Sequence, residues 1–221
     1  MKLTIFAATG GIGRHLLDQA IAAGDDVTAV VRDPGRLPGR VRAVTADLAA
    51  PDPAVLEAAV AGADAVLSGL GPRSKADAGI TSRGTRAIVA AMQAAGPRRL
   101  VIVSAAPVGT VPSPGRPNPP RHDAGDGFWM RHVFSHVAMA LYREHYADLA
   151  LTEDIVRDSG LDWTIVRPPK LTGKPLTGTY RTAYGQNLRG GWSVPRADVA
   201  RYMLRVIGEP DAVKQVAGIA S

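Results

Sequence analysis

Apolar runs rich in Val and Ile recur along the chain, at "LTIFAA", "VTAVV", "VRAVTA", "DAVLSGL", "LVIVSAA" and "WTIVRPP", with Ala-rich segments of helical character following them. That alternation predicts strand, crossover helix, strand. Strands that are apolar throughout imply a sheet covered on both faces, and connectors of this length suit parallel pairing with right-handed crossovers. The expected architecture is a single α/β domain over residues 1–221, built on a doubly wound, mostly parallel sheet. Such sheets bind ligands beyond the carboxyl ends of their strands, where strand order reverses.

Helices are expected near Ile12 to Ala23, Pro53 to Ala61, Ile80 to Ala95 and Arg196 to Ile207, with a longer one inside Gly127 to Ser159. Gly160 is placed to cap that longer helix before the next strand. The stretch "PVGTVPSPGRPNPPRHDAGDG", Pro107 to Gly127, is too rich in Pro and Gly for helix or central strand and reads as a surface loop near the active face. With the aromatic helix after it, this loop forms a small substrate-side subregion at about residues 107–147.

Composition removes several options. Without cysteine there is no disulfide, no thiolate chemistry and no Cys-based zinc site. "MKLTIFAA" is too short for a signal-peptide core and no later apolar run reaches the length of a membrane span, so a cytoplasmic location without membrane attachment is expected. The formal charge of +6 comes from arginines scattered singly or in pairs (Arg40/Arg42, Arg98/Arg99). A solvated Arg-rich surface fits that scatter better than a nucleic-acid face, which would be contiguous and interleaved with aromatics.

The stretch "TIFAATGGIGRHLL" places Thr9, Gly10, Gly11, Ile12 and Gly13 where the first strand gives way to a helix. Glycine there permits a tight turn and lets helix N-terminal amides approach a diphosphate. In the fingerprint G-x-x-G-x-x-G the first glycine is replaced by Ala7, whose methyl narrows the turn. Arg32 follows Gly13 by 19 residues, at the end of the second strand where an adenosine ribose is read. A guanidinium there forks to a 2′-phosphate, so Arg32 with Arg36 argues for NADP(H) over NAD(H). Asp33 offers the opposite reading, a carboxylate facing the ribose, and both residues can also be plain turn residues. Asp47 and Leu48 end the third strand, where they can bracket adenine, and "SGLGPR" ends the fourth.

"FAATGGIG", "VVRDPGRL", "ADAVLSGLG", "GTRAIVAAM", "RRLVIVSAA", "SGLDWTIVRPP", "KPLTGTY" and "DVARYMLRVI" resemble, in order and nearly end to end, the atypical short-chain dehydrogenase/reductases. The nearest type is the NAD(P)H-binding group that includes biliverdin-IXβ reductase. The resemblance implies a Rossmann fold in which Thr9 to Ile12 hold the diphosphate, Arg32 and Arg36 the 2′-phosphate, and Asp47 with Leu48 the adenine. Leu70, Gly71 and Ser104 would lie along the cofactor, with Pro168, Pro169 and Lys170 on the nicotinamide side. The family's substrate-side serine falls at Ala105 here, and the histidine after its paired prolines is Lys170, so substrate identity does not transfer.

No tyrosine has a lysine four residues on, which speaks against the Tyr-x-x-x-Lys acid of carbinol chemistry. Hydride transfer to a flavin, quinone or tetrapyrrole needs mainly stacking against nicotinamide, because such acceptors spread the incoming charge. Five of the eleven aromatics, Phe128, Trp129, Phe134, Tyr142 and Tyr146, fall in one segment and are candidates for a flat pocket wall; packing of a helix into the core explains them equally. Ser104 and Lys170 are the candidate groups for polarising a substrate. His132 and His136 are four apart, yet no HExxH accompanies them, and no metal is expected. "TGKPLTG" lacks phosphate-loop spacing. The expected activity is NADPH-dependent reduction of a planar conjugated small molecule by a monomer or homodimer; the alternative is an NADP(H) sensor or scaffold without turnover.

Overall fold

The computed structural model describes residues 1–39, 41–71, 77–125 and 142–221. Among them the chain runs β1 (Lys2–Phe6), α1 (Gly11–Ala22), β2 (Asp26–Val31), β3 (Arg42–Thr45), α2 (Pro53–Val60), β4 (Ala65–Ser68), α3 (Ile80–Ala95), β5 (Arg99–Val103), α4 (Arg143–Arg157), β6 (Asp162–Arg167), β7 (Lys170–Thr172), β8 (Arg181–Tyr184), β9 (Ser193–Pro195), α5 (Arg196–Arg205) and β10 (Gln215–Ala220). Eight strands form one sheet in the order β3-β2-β1-β4-β5-β6-β10-β8. All neighbours are parallel except β10 and β8. From β1 the chain moves outward through β2 and β3, then crosses back to β4 on the other side of β1. Strand order therefore reverses between β1 and β4, and a crevice opens beyond their carboxyl ends.

Alternation along β1 distributes side chains to two cores. Leu3 and Ile5 pack with Leu16 and Leu17 of α1 and Tyr202 and Met203 of α5. Phe6 packs on the opposite face with Leu56 of α2 and Ile88 and Met92 of α3. Thr4 is buried, and its hydroxyl donates to the Ala59 carbonyl at 2.7 Å, so its burial leaves no polar group unpaired.

The six apolar runs are β1 to β6, and α3 spans the expected residues. The closing strand β10, "QVAGIA", carries few large apolar side chains; its strand character comes from pairing with β6, Val216 opposite Ile165. The arginine reading needs correction at two places. Arg99 is buried and donates to the Asp162, Val206 and Ile207 carbonyls and the Thr164 hydroxyl. Arg167 is buried in an ion pair described below.

Two irregular segments are tied down by carboxylates. In the Pro-rich loop, Ser113 Oγ–H and the Gly115 amide donate to Asp154 of α4 at 3.0 and 2.8 Å. In "TGKPLTG", the Thr177 hydroxyl and the Gly178 amide donate to the buried Asp198 of α5 at 2.7 and 2.8 Å. A protein carboxylate already holds the amides that a phosphate would require. Among the described residues no helix is long and apolar enough to cross a membrane.

Candidate functional site

A cleft of about 330 Å³ lies over the carboxyl ends of the central strands. Thr9, Gly10, Gly11, Ile12, Arg32, Asp47, Leu48, Leu70, Gly71 and Ser104 all line it.

At its floor the chain turns from β1 into α1. The N-cap is Gly10, which offers no side-chain oxygen, and the first turn of α1 has no acid. Its leading amides are therefore left for an external anion. The turn is closed by the Gly10 amide donating to the Ala7 carbonyl at 2.8 Å. Ala7 occupies the left-handed region at φ 56°, which costs an L-residue roughly 1–2 kcal/mol. Gly13 does not line the cleft: a Cβ on it would overlap the Ala7 carbonyl oxygen, so this glycine lets α1 pack on the end of β1. A Cβ on Gly11 would come within 2.9 Å of Arg196 Nε. Glycine at position 11 thus admits the Arg196 side chain over the helix start, and Arg196 lines the cleft without an ion-pair partner among the described residues.

At the other end of the floor, Arg32 is exposed to the cleft and likewise has no carboxylate partner among the described residues. Asp33 is spent locally: its carboxylate accepts from the Gly35 amide at 3.0 Å, capping the turn Pro34–Arg36. Arg36 is exposed and outside the cleft lining, and its carbonyl accepts from Arg14. Asp47 accepts from the Ala49 amide at 3.0 Å, and Leu48 beside it is buried.

Beyond β5, Ser104 reaches the cleft, but its hydroxyl hydrogen is directed to Glu153 Oε1 at 2.7 Å. Glu153 of α4 is fully buried, and Arg167 Nε donates to its Oε1 at 2.8 Å while Arg167 Nη2 and Arg157 Nη2 donate to its Oε2. Burial raises the Glu153 pKa, but the Arg167 hydrogen bonds and charge, the Arg157 charge and the Ser104 bond outweigh it, leaving a pKa below the ordinary value. Ser104 therefore presents lone pairs to a ligand, not its hydrogen.

The β6 exit differs from expectation. Pro168, Pro169 and Lys170 do not line the cleft; Leu171 does. Side chains alternate along β7, so pointing Leu171 at the cleft sends the exposed Lys170 to the opposite face. Of the aromatic candidates, Phe128, Trp129 and Phe134 lie outside the described residues, as do His132 and His136. Tyr142 is exposed, and Tyr146 packs against Val108, Val111 and Leu149; neither lines the cleft. The wall that α4 provides is made by His145 and Leu149. The expected substrate-side subregion at about residues 107–147 takes in His145 without singling it out, and no sequence signal marks Arg196 or Asp77 as cleft residues, because each arrives from an element distant in the chain.

The sequence profile of a family described as NAD(P)H-binding matches residues 7–210. The UPF0659 protein of Schizosaccharomyces pombe is 30% identical over 215 residues, covering 91% of this chain and 83% of its own. ChuY, an anaerobilin reductase of Escherichia coli, superposes with a TM-score of 0.77 at 24% identity, over 100% of this chain and 97% of its own. A short-chain dehydrogenase/reductase of Veillonella parvula in complex with NADP gives 0.78 at 19% identity, over 100% and 94%. The likenesses to these two solved structures establish a shared Rossmann fold.

Proposed function

This chain belongs to the NAD(P)H-binding family, and we propose that within it the protein is an NADPH-dependent reductase that passes hydride to a planar conjugated acceptor. The observation that carries the cofactor choice is the contrast between Arg32 and Asp33: Arg32 lines the cleft with no carboxylate partner among the described residues, while the Asp33 carboxylate accepts from the Gly35 amide and lies outside the lining. That arrangement suits a 2′-phosphate better than a 2′-hydroxyl, since the acid next to Arg32 is held in its own turn.

The remaining residues fit the rest of a dinucleotide. The uncapped start of α1 and the Arg196 guanidinium suit the diphosphate, and Asp47 with Leu48 suits adenine. Ser104, as an acceptor, suits an amide N–H such as that of a carboxamide. NADPH, when bound, supplies the hydride. The protein's part is to orient the two rings and exclude water between them. The ChuY neighbour, an anaerobilin reductase, supports including a tetrapyrrole among the acceptors tried.

Titration of both dinucleotides tests the cofactor choice. NADPH should bind more tightly than NADH, and Arg32→Ala should weaken NADPH alone, by about 10–100-fold for a lost charge-assisted contact. Arg196→Ala should weaken both equally. Equal wild-type affinities would overturn the Arg32 assignment. NADPH oxidation is then followed with FMN, a naphthoquinone and a linear tetrapyrrole. The rival reading, a sensor without turnover, draws on the commitment of Ser104 to Glu153, and binding with no oxidation across that panel would favour it.

A further inference from the structure

A conjugated acceptor spreads the charge that hydride delivers, and a donor placed where that charge collects speeds its reduction further. Ser104 has given its hydrogen to Glu153, and Lys170 lies across β7 from the cleft. His145 is a cleft residue that none of the roles above employs. It is the third residue of α4 and shares the wall with Leu149, one helical turn on. Its Nδ1 is buried and has no hydrogen-bond partner among the described residues. The ring lies 5.7 Å from that of Tyr146, which helps to bury it.

Two effects favour the uncharged imidazole. Burial lowers its pKa, with the Asp148 charge opposing, and a cation in the first turn of a helix faces the positive end of the dipole. Asp148 is engaged elsewhere, accepting the Thr81 and Ser82 amides at the start of α3. Asp77 lines the same cleft from the segment before α3 and has an interaction of its own. Orphaned buried N–H groups are rarer than orphaned acceptors, so the tautomer that fits leaves Nδ1 bare and carries hydrogen on Nε2.

We propose that His145 is the hydrogen-bond donor to the acceptor bound in the cleft, a neutral imidazole whose Nε2–H contacts the carbonyl oxygen or ring nitrogen where negative charge collects. This rests on the reductase reading. Hydride leaves the dihydronicotinamide, which is oxidised, and the acceptor gains its two electrons. The resulting anion is held by the Nε2–H bond and takes its proton from solvent, while His145 stays neutral throughout. The substrate class is a flat conjugated molecule with a carbonyl or imine-type nitrogen beside the carbon reduced.

The experiment uses the full-length protein with His145→Phe, which keeps a planar ring, and His145→Gln, which keeps an N–H donor. Histidine ring-nitrogen NMR, with the His145 signal identified by its loss in His145→Phe, should give a pKa below the ordinary value. That signal should shift when menadione is added to the NADP⁺-bound protein. In NADPH oxidation with menadione, His145→Phe should lower kcat about 100-fold, in the range seen when one anion-stabilising donor is removed. His145→Gln should recover most of that loss, and NADPH affinity should stay within about twofold in both. Unchanged kcat in His145→Phe overturns the proposal. So does a rate that falls as pH rises through an ionisation lost in that variant, since a charged His145 would then be the acid. If wild type binds NADPH but oxidises it with no acceptor, the reductase reading fails by itself. In that case a ring-nitrogen signal unmoved by menadione overturns the His145 assignment independently.

Discussion

Ala7 shows how one methyl group sets a local energy. Its φ of 56° belongs to the left-handed region, and the site is where the fingerprint has glycine. Ala7→Gly should raise stability by about 1 kcal/mol by relieving that conformation, measurable as an increase in chemical-denaturation midpoint with unchanged slope. Glu153 makes the opposite case, a buried charge whose worth depends on company. Its folded pKa is lowered, so its stabilising contribution is complete above the unfolded carboxyl value of about 4.3 and is lost as pH falls through the lower folded value. Glu153→Gln leaves Arg167 without its counter-charge, and should cost about 3 kcal/mol at neutral pH while flattening the acid limb of a stability-against-pH curve. Wild-type acid sensitivity persisting in that variant would contradict this account.

Among the elements, α5 does more than cover the sheet. Arg196 at its start reaches the α1 N-terminus, and Asp198 two residues later fastens Thr177 and Gly178. Asp198→Ala should release the 173–179 segment, raising amide hydrogen exchange there by at least tenfold while β1 and β5 keep their protection. Legibility followed the same division. β1, β2, β4, β5 and β6 were readable because most of their residues are apolar and buried, whereas the edge strand β3, largely exposed, was readable from its Val and Ala alone; β7, β8 and β9 are three or four residues long and owe their form to partners. That the glycine turn, Arg32, Asp47 and Ser104 line the cleft was readable because they sit at strand ends, where sequence order alone sets position. Leu171 against Lys170 was not, since it turns on a one-residue phase at a strand whose pairing to β9 only the tertiary structure supplies.

For the whole molecule, strand order reverses between β1 and β4, so a dinucleotide in the crevice would touch elements from both halves of the sheet. Far from that crevice, Arg99 joins β5, β6 and the turn after α5 through four acceptors: three carbonyls and the Thr164 hydroxyl. Arg99→Ala would leave a vacancy shaped for a planar cation and ringed by oxygen. The free guanidinium ion has that shape. Millimolar guanidinium chloride should therefore raise the melting temperature of Arg99→Ala before higher concentrations unfold it, whereas urea and sodium chloride should not. A familiar denaturant would act on this variant first as its missing part.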